Sequence, residues 1–153
     1  MAVIVYRYVS FRRWAVPLIS VGIKGPSHWG RVWAYADSGA AYSVFDDSVA
    51  RLIGIDWRTG RAMVATVGTG AVMRCFLHPV TIQMRRVRIR LEVGFSAELR
   101  IGFNILGLDV FEQFNQVTFD SLNRCLTFTR YPLRGSCITC WSLLVDHRSY
   151  GPP

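Results

Sequence analysis

The chain has no apolar run approaching the ~18 residues that a membrane-spanning helix requires, so no helical span is expected. Its opening twenty residues are interrupted by Arg7, Arg12 and Arg13. That spacing does not suit the continuous apolar core of a secretory leader, and the cytoplasm is the expected compartment. Cysteine is sparse: Cys75, Cys125, Cys137 and Cys140 are the four present. Without a secretion signal they do not suggest a disulfide framework. Lysine is nearly missing, with Lys24 the one example among 18 basic residues. No internal repeat is visible.

What is present fits one folded domain. The 153 residues are 51% apolar and 13% aromatic, enough to fill a sizeable core and unlike a disordered composition. The formal charge is +8, which permits anionic partners without identifying one. The densest basic patch is Arg85-Arg86-Val87-Arg88-Ile89-Arg90-Leu91. Apolar and charged residues alternate there with period two, the pattern of a strand with one wet face. Such a face also discourages edge pairing. The patch lacks the aromatic interleaving of a single-strand binder, so a solvated face is the first reading, with a nucleic-acid contact through Arg85 to Arg90 the remoter one. Cys75-x-x-His78 and Cys137-x-x-Cys140 could be drawn as a zinc set. Residues three apart on a strand point to opposite faces, however, so neither a metal site nor any cofactor is expected.

Strands are predicted at 3–9, 17–24, 28–37, 61–66, 72–84 and 86–94, with a short apolar element at 104–106. Residues 117–120 and 125–128 should form a hairpin. Asp46 or Asp47 can cap a short helix ending at Gly54, with Val49, Leu52 and Ile53 on one face. Residues 108–115 read as a second helix, with Leu108, Phe111 and Phe114 spaced to pack inward. The fold class is therefore all-β, a small closed barrel or sheet with a hairpin flap and one or two short helices. Three regions are expected: an N-terminal extension or edge strand at 1–15, a main domain at 16–130, and a C-terminal tail at 131–153 whose three prolines and two glycines suggest disorder.

Three elements carry chemistry. Asp37-Ser38-Gly39-Ala40 follows the apolar run Val32-Trp33-Ala34-Tyr35-Ala36, which delivers a carboxylate from a buried strand into a tight turn. Val67-Gly68-Thr69-Gly70 lies at a hairpin tip, and Ile105-Leu106-Gly107 is a second apolar element ending in glycine. Each alone has an ordinary reading as a turn, a hairpin or core. A carboxylate becomes a useful base when a second carboxylate is so close that the pair shares one proton. The chain contains no second Asp-[Ser/Thr]-Gly: Asp120-Ser121 is followed by Leu122. One chain thus supplies half of such a site, and a two-fold dimer would complete it. Gly39 is expected to allow close backbone approach and an unusual dihedral, and Ser38 to hydrogen-bond across the axis.

In order and spacing, residues from about Pro17 to Arg130 resemble the retropepsin-like single-domain aspartic proteases, especially the prokaryotic, non-viral members. The motif is matched by Ala36-Asp37-Ser38-Gly39-Ala40, the flap by residues 66–72, and the second hydrophobic-Gly element by Asn104-Ile105-Leu106-Gly107-Leu108-Asp109. Many viral members carry an Asp where Ala41 stands and an Arg where Leu108 stands, two residues similar to an ion pair beneath the site. The resemblance implies a homodimeric endopeptidase acting on extended peptide or protein substrates without metal. Asp37 would be the catalytic carboxylate, Ser38, Gly39 and Ala40 its scaffold, and Val67 to Gly70 the flap. The alternative is a catalytically inactive module that keeps the fold for dimerisation or peptide binding.

Overall fold

The computed structural model describes residues 1–66, 70 and 72–132. The predicted flap tip at Val67, Gly68 and Thr69, the Cys137/Cys140 pair and nearly all of the expected tail lie outside these residues. Twelve strands are present among those described: β1 Ala2–Arg7, β2 Val9–Phe11, β3 Trp14–Val16, β4 Leu18–Lys24, β5 Trp29–Ala36, β6 Val44–Asp46, β7 Arg61–Thr66, β8 Val72–Met84, β9 Val87–Ser96, β10 Asn104–Leu106, β11 Gln116–Asp120 and β12 Cys125–Arg130. Two short helices, α1 Asp47–Leu52 and α2 Leu108–Phe111, and one 3-10 turn, Trp57–Thr59, complete the set. No helix among the described residues is long and apolar enough to cross a membrane.

The main sheet has seven strands in the order β4-β5-β10-β6-β9-β8-β7. A further pairing joins β4 to β8 through Gly22↔Gln83, Ile23↔Ile82 and Lys24↔Thr81. Six strands therefore close on themselves, with β7 appended to β8 as a hairpin. Closure removes most free edges. The alternation that predicts β4 also fills the barrel: Ile19, Val21 and Ile23 point inward and are fully buried, as are Phe45, Ile82, Met84, Val93, Phe95 and Leu106.

In β8 the buried positions run Met73, Cys75, Leu77 and then Val80, Ile82, Met84. The phase slips at His78-Pro79, where the strand leaves β7 (last pair Arg61↔Leu77) and joins β4 (first pair Lys24↔Thr81). Pro79 sits in the gap between these two partners, a position that tolerates a residue without an N–H. The slip divides the interior. A small cluster of Val44, Met73, Cys75 and Leu99 lies under the β7–β8 hairpin, apart from the main core.

The N-terminal strand is built into the structure. β1 pairs antiparallel with β12 from Ala2↔Arg130 to Arg7↔Cys125, and β12 pairs with β11. Ile4 and Tyr6 face the core beside Leu126 and Phe128, while Val3 and Val5 on the opposite face are half exposed. The small β2–β3 hairpin was not visible in the sequence pattern, because none of its six residues is buried and they give no inward periodicity.

Both helices are shorter or more local than their periodicity suggests. α1 follows the expected cap: the Asp46 carboxylate accepts the Ser48 N–H at 3.0 Å and also its hydroxyl. α2 ends at Phe111, and turns carry Phe114 into the core against Phe128, with ring centroids 5.0 Å apart. The three inward aromatic and apolar positions predicted a longer helix than the hydrogen bonding supports. Leu108 itself is 38% exposed and does not face the core.

Candidate active site

Asp37 stands immediately after β5, where that strand runs parallel to β10 with Asn104↔Ala34, Ile105↔Tyr35 and Leu106↔Ala36. Its N–H donates to the Leu106 carbonyl at 3.0 Å, extending the parallel ladder by one residue. The preceding Ala36 is buried, so the chain emerges from the core with the carboxylate at its mouth, half-buried. The Gly39 N–H donates to Asp37 Oδ1 at 2.8 Å, and the Ala40 N–H to the Asp37 carbonyl at 3.3 Å. The turn thus folds back on the side chain and fixes its direction.

Gly39 was expected to need an unusual dihedral. It does not: the positive-φ glycines are Gly54, Gly70 and Gly102. A Cβ on Gly39 would stand 3.2 Å from Asp37 Oδ1, so close approach is what favours glycine there. Ser38 is exposed and makes no side-chain hydrogen bond among the described residues.

The second apolar-Gly element supports this turn from below. The Leu108 N–H donates to the Ala40 carbonyl at 2.8 Å and the Asp109 N–H to the Ala41 carbonyl at 3.3 Å. The segments that carry Ala41 and Leu108, the positions compared above with a viral ion pair, are therefore joined by backbone, and neither residue brings a charge that needs a partner. Gly107 has an ordinary extended conformation (φ −101°, ψ −168°). A Cβ there would come within 2.7 Å of the Ala40 oxygen and of the Tyr42 carbonyl carbon. Only glycine lets the two segments approach this closely.

A polar network at the base was not assigned a role from the sequence. Ser43 is fully buried. Its hydroxyl donates to Asp109 Oδ1 at 2.6 Å and accepts the Gly107 N–H at 2.9 Å, while its own N–H donates to Asp109 Oδ2 at 2.8 Å. The Val110 N–H adds a fourth bond, to Asp109 Oδ1 at 2.8 Å. Burial pushes the Asp109 carboxyl above its ordinary range, against the hydrogen bonds from Ser43 and Val110 that pull it down. The signal was present: a serine ahead of the buried pair Val44-Phe45, and an acid two residues beyond Gly107. No spacing rule connects positions so far apart, and only the crossing of β6 and β10 at Ile105↔Val44 brings them together.

The structure thus brings Asp37 to Ala40 and Ile105 to Gly107 together. Of the predicted flap residues, only Gly70 is described, with φ +81° beyond the last pair of the β7–β8 hairpin, Thr66↔Val72. Cys75 is fully buried and His78 Nε2 lies 2.8 Å from the Trp57 carbonyl. No cluster of three potential metal ligands occurs among the described residues.

This architecture has counterparts among solved structures. A retropepsin-like aspartic protease from Rickettsia conorii superposes with a TM-score of 0.64 over 84% of this chain and 92% of its own, at 11% identity. The chain has the retropepsin-like fold. The retroviral protease-like domain of Ddi1 from Leishmania major matches with a TM-score of 0.52, covering 79% of this chain and 98% of that domain at 20% identity. The EIAV protease complexed with the inhibitor HBY-793 matches with a TM-score of 0.49 at 24% identity, covering 68% of this chain and 92% of that one. No protein-family model and no curated protein sequence matches the chain. The likeness is thus one of fold, retained at identities where sequence comparison fails.

Proposed function

We propose that the protein is a homodimeric aspartic endopeptidase in which two copies of Asp37, one per subunit, form the catalytic pair. The observation that carries this reading is the placement of Asp37. Its carboxylate is half-buried and aimed by the Gly39 N–H, at the end of a parallel strand pair locked from beneath by Gly107.

In the dimer, two carboxylates meeting across the axis cannot both ionise, and they share one proton, a coupling for which aspartic proteases are the type case. The ionised member removes a proton from a water as it attacks the scissile carbonyl. The protonated member donates to the carbonyl oxygen, giving a tetrahedral diol. Proton transfer to the leaving nitrogen then splits the C–N bond. In this reading Ser38, exposed beside the carboxylate, hydrogen-bonds across the axis. Residues 67–70 serve as the flap, closing over a substrate held as an added strand. The half-exposed Val3 and Val5 on the edge strand β1 are the apolar surface that a partner would cover. In this reading residues 16–130 are the protease unit.

The test combines sizing in solution with cleavage of a peptide library by the wild type and Asp37→Asn. The expected result is a dimer in both and cleavage in the wild type alone, since the amide keeps the shape and removes the base. Cleavage that survives in the variant eliminates the catalytic assignment. A folded wild type that leaves the library intact from acidic to neutral pH points instead to the module that binds without turnover.

A further inference from the structure

A second feature lies on the outer face of the barrel and owes nothing to the Asp37 site. Cross-strand partners share a face of a sheet, so the pairings define two rows of side chains. One runs Arg31, Gly22, Gln83, Arg88 across β5, β4, β8 and β9; the next runs Trp29, Lys24, Thr81, Arg90. Along β5 the exposed positions read Trp29, Arg31, Trp33, two residues or about 6.7 Å apart. The basic strand alone has no aromatic residues between its arginines. The closed sheet supplies them from β5.

Arg31, Gly22, Gln83 and Trp29 of these rows line a groove of about 640 Å3 together with Tyr6, Arg7, Trp33 and Arg85, and Arg88 adjoins it through its contact with the Trp29 ring. Gly22 leaves its floor open: a Cβ there would come 3.3 Å from Gln83 Cβ and 3.5 Å from the Trp29 ring. The Arg85 guanidinium lies 5.5 Å from the Tyr6 ring centroid, and those of Arg88 and Lys24 lie 5.5 and 5.8 Å from that of Trp29. None of Arg7, Lys24, Arg31, Arg85 and Arg88 is in an ion pair among the described residues. The acid at the end of this face, Glu92, is already paired with Arg61. Tyr6 is 93% buried, and its hydroxyl has no hydrogen-bond partner among the described residues. Burial raises the phenol's pKa, so it stays a donor.

We infer that this groove binds single-stranded nucleic acid, with the phosphates on Arg31, Arg85 and Arg88 and bases stacked on the indoles of Trp29 and Trp33. The chemistry selects this occupant. Unpaired guanidinium groups attract phosphate. Exposed rings alternating with them offer stacking surfaces that any base can use and that an acidic peptide would leave idle. A duplex keeps its bases stacked inside and cannot reach them. Trp33 is 52% exposed and Arg31 is exposed, so substitutions there leave the core intact.

The test is fluorescence anisotropy of a labelled 15-nucleotide oligo(dT) titrated with the full chain at several salt concentrations. Three phosphate contacts predict a log–log salt slope of about −2, at roughly −0.7 per phosphate on a single strand. Arg31→Gln should flatten that slope by about 0.7. Trp33→Ala should weaken binding about five-fold or more while the slope holds. Thermal melts monitored by circular dichroism confirm that both variants fold. The proposal is overturned if the wild type does not bind at 50 mM salt. It is equally overturned if Trp33→Ala binds as tightly as the wild type, or if polyglutamate or the matching duplex competes as well as the single strand.

Discussion

Replacing Ser43 with alanine tests whether the buried network beneath the Asp37 turn holds the fold as well as the site. The substitution deletes one hydroxyl that serves two bonds. It withdraws the 2.6 Å bond to Asp109 Oδ1 and strips the Gly107 N–H of its acceptor. A hydrogen bond to a charged group contributes about 1.5–3 kcal/mol, and a stranded buried donor costs about 1–3 kcal/mol. The two losses share one atom and do not simply add, so about 3 kcal/mol is the expected destabilisation. Because Ser43 is fully buried, water cannot replace the hydroxyl without opening the crossing of β6 and β10. For a chain of this length each kcal/mol moves the Tm by about 2–4 °C, which gives a drop of about 6–12 °C. Thermal melts followed by circular dichroism, with urea unfolding as a check, measure it directly. Under the proposed function, peptide cleavage should fall as well, because Gly107 and Leu108 support the turn that holds Asp37. A Tm within about 2 °C of the wild type would refute the argument, since it would mean that the network is held in place by its surroundings and contributes nothing itself.

Asp109→Asn should change how stability depends on pH. The folded carboxyl has a pKa raised by burial above its ordinary 3.8. The folded state therefore binds more protons between the unfolded and folded values, so stability is greatest below about 4 and falls as pH rises through the folded value. Asparagine does not titrate, so the stability advantage of the wild type should narrow across that window in urea melts; an advantage constant from pH 3 to 8 contradicts the assignment. Gly107→Ala forces a Cβ to within 2.7 Å of two backbone atoms and should cost at least about 2 kcal/mol, seen as lost soluble protein or a lowered urea midpoint. Glu92→Gln removes an ion pair whose partners are 68% and 54% exposed, and should shift unfolding by less than about 0.5 kcal/mol.

The contrast between Asp37 and Asp109 shows how far the sequence reaches. The turn at Asp37 was legible because it is local: a buried strand, a carboxylate and a glycine within four residues. The strands were legible for the same reason, since period-two burial in Ile19, Val21 and Ile23 is written in adjacent positions. The helix at Leu108 was overdrawn because apolar spacing reports burial, and the turns after Phe111 bury Phe114 equally well.

The amino-acid sequence by itself determined the all-β class, the interior faces of the strands, the cap of the first helix and the lone Asp-Ser-Gly turn. These follow from the chemistry of neighbours along the chain. Only the tertiary structure decided that Ser43 and Asp109 meet, that Gly107 must lack a side chain, and that Arg88 of β9 reaches the Trp29 ring of β5. Each of those depends on strands far apart in sequence being paired in one register when the barrel closes, and no local pattern encodes that pairing.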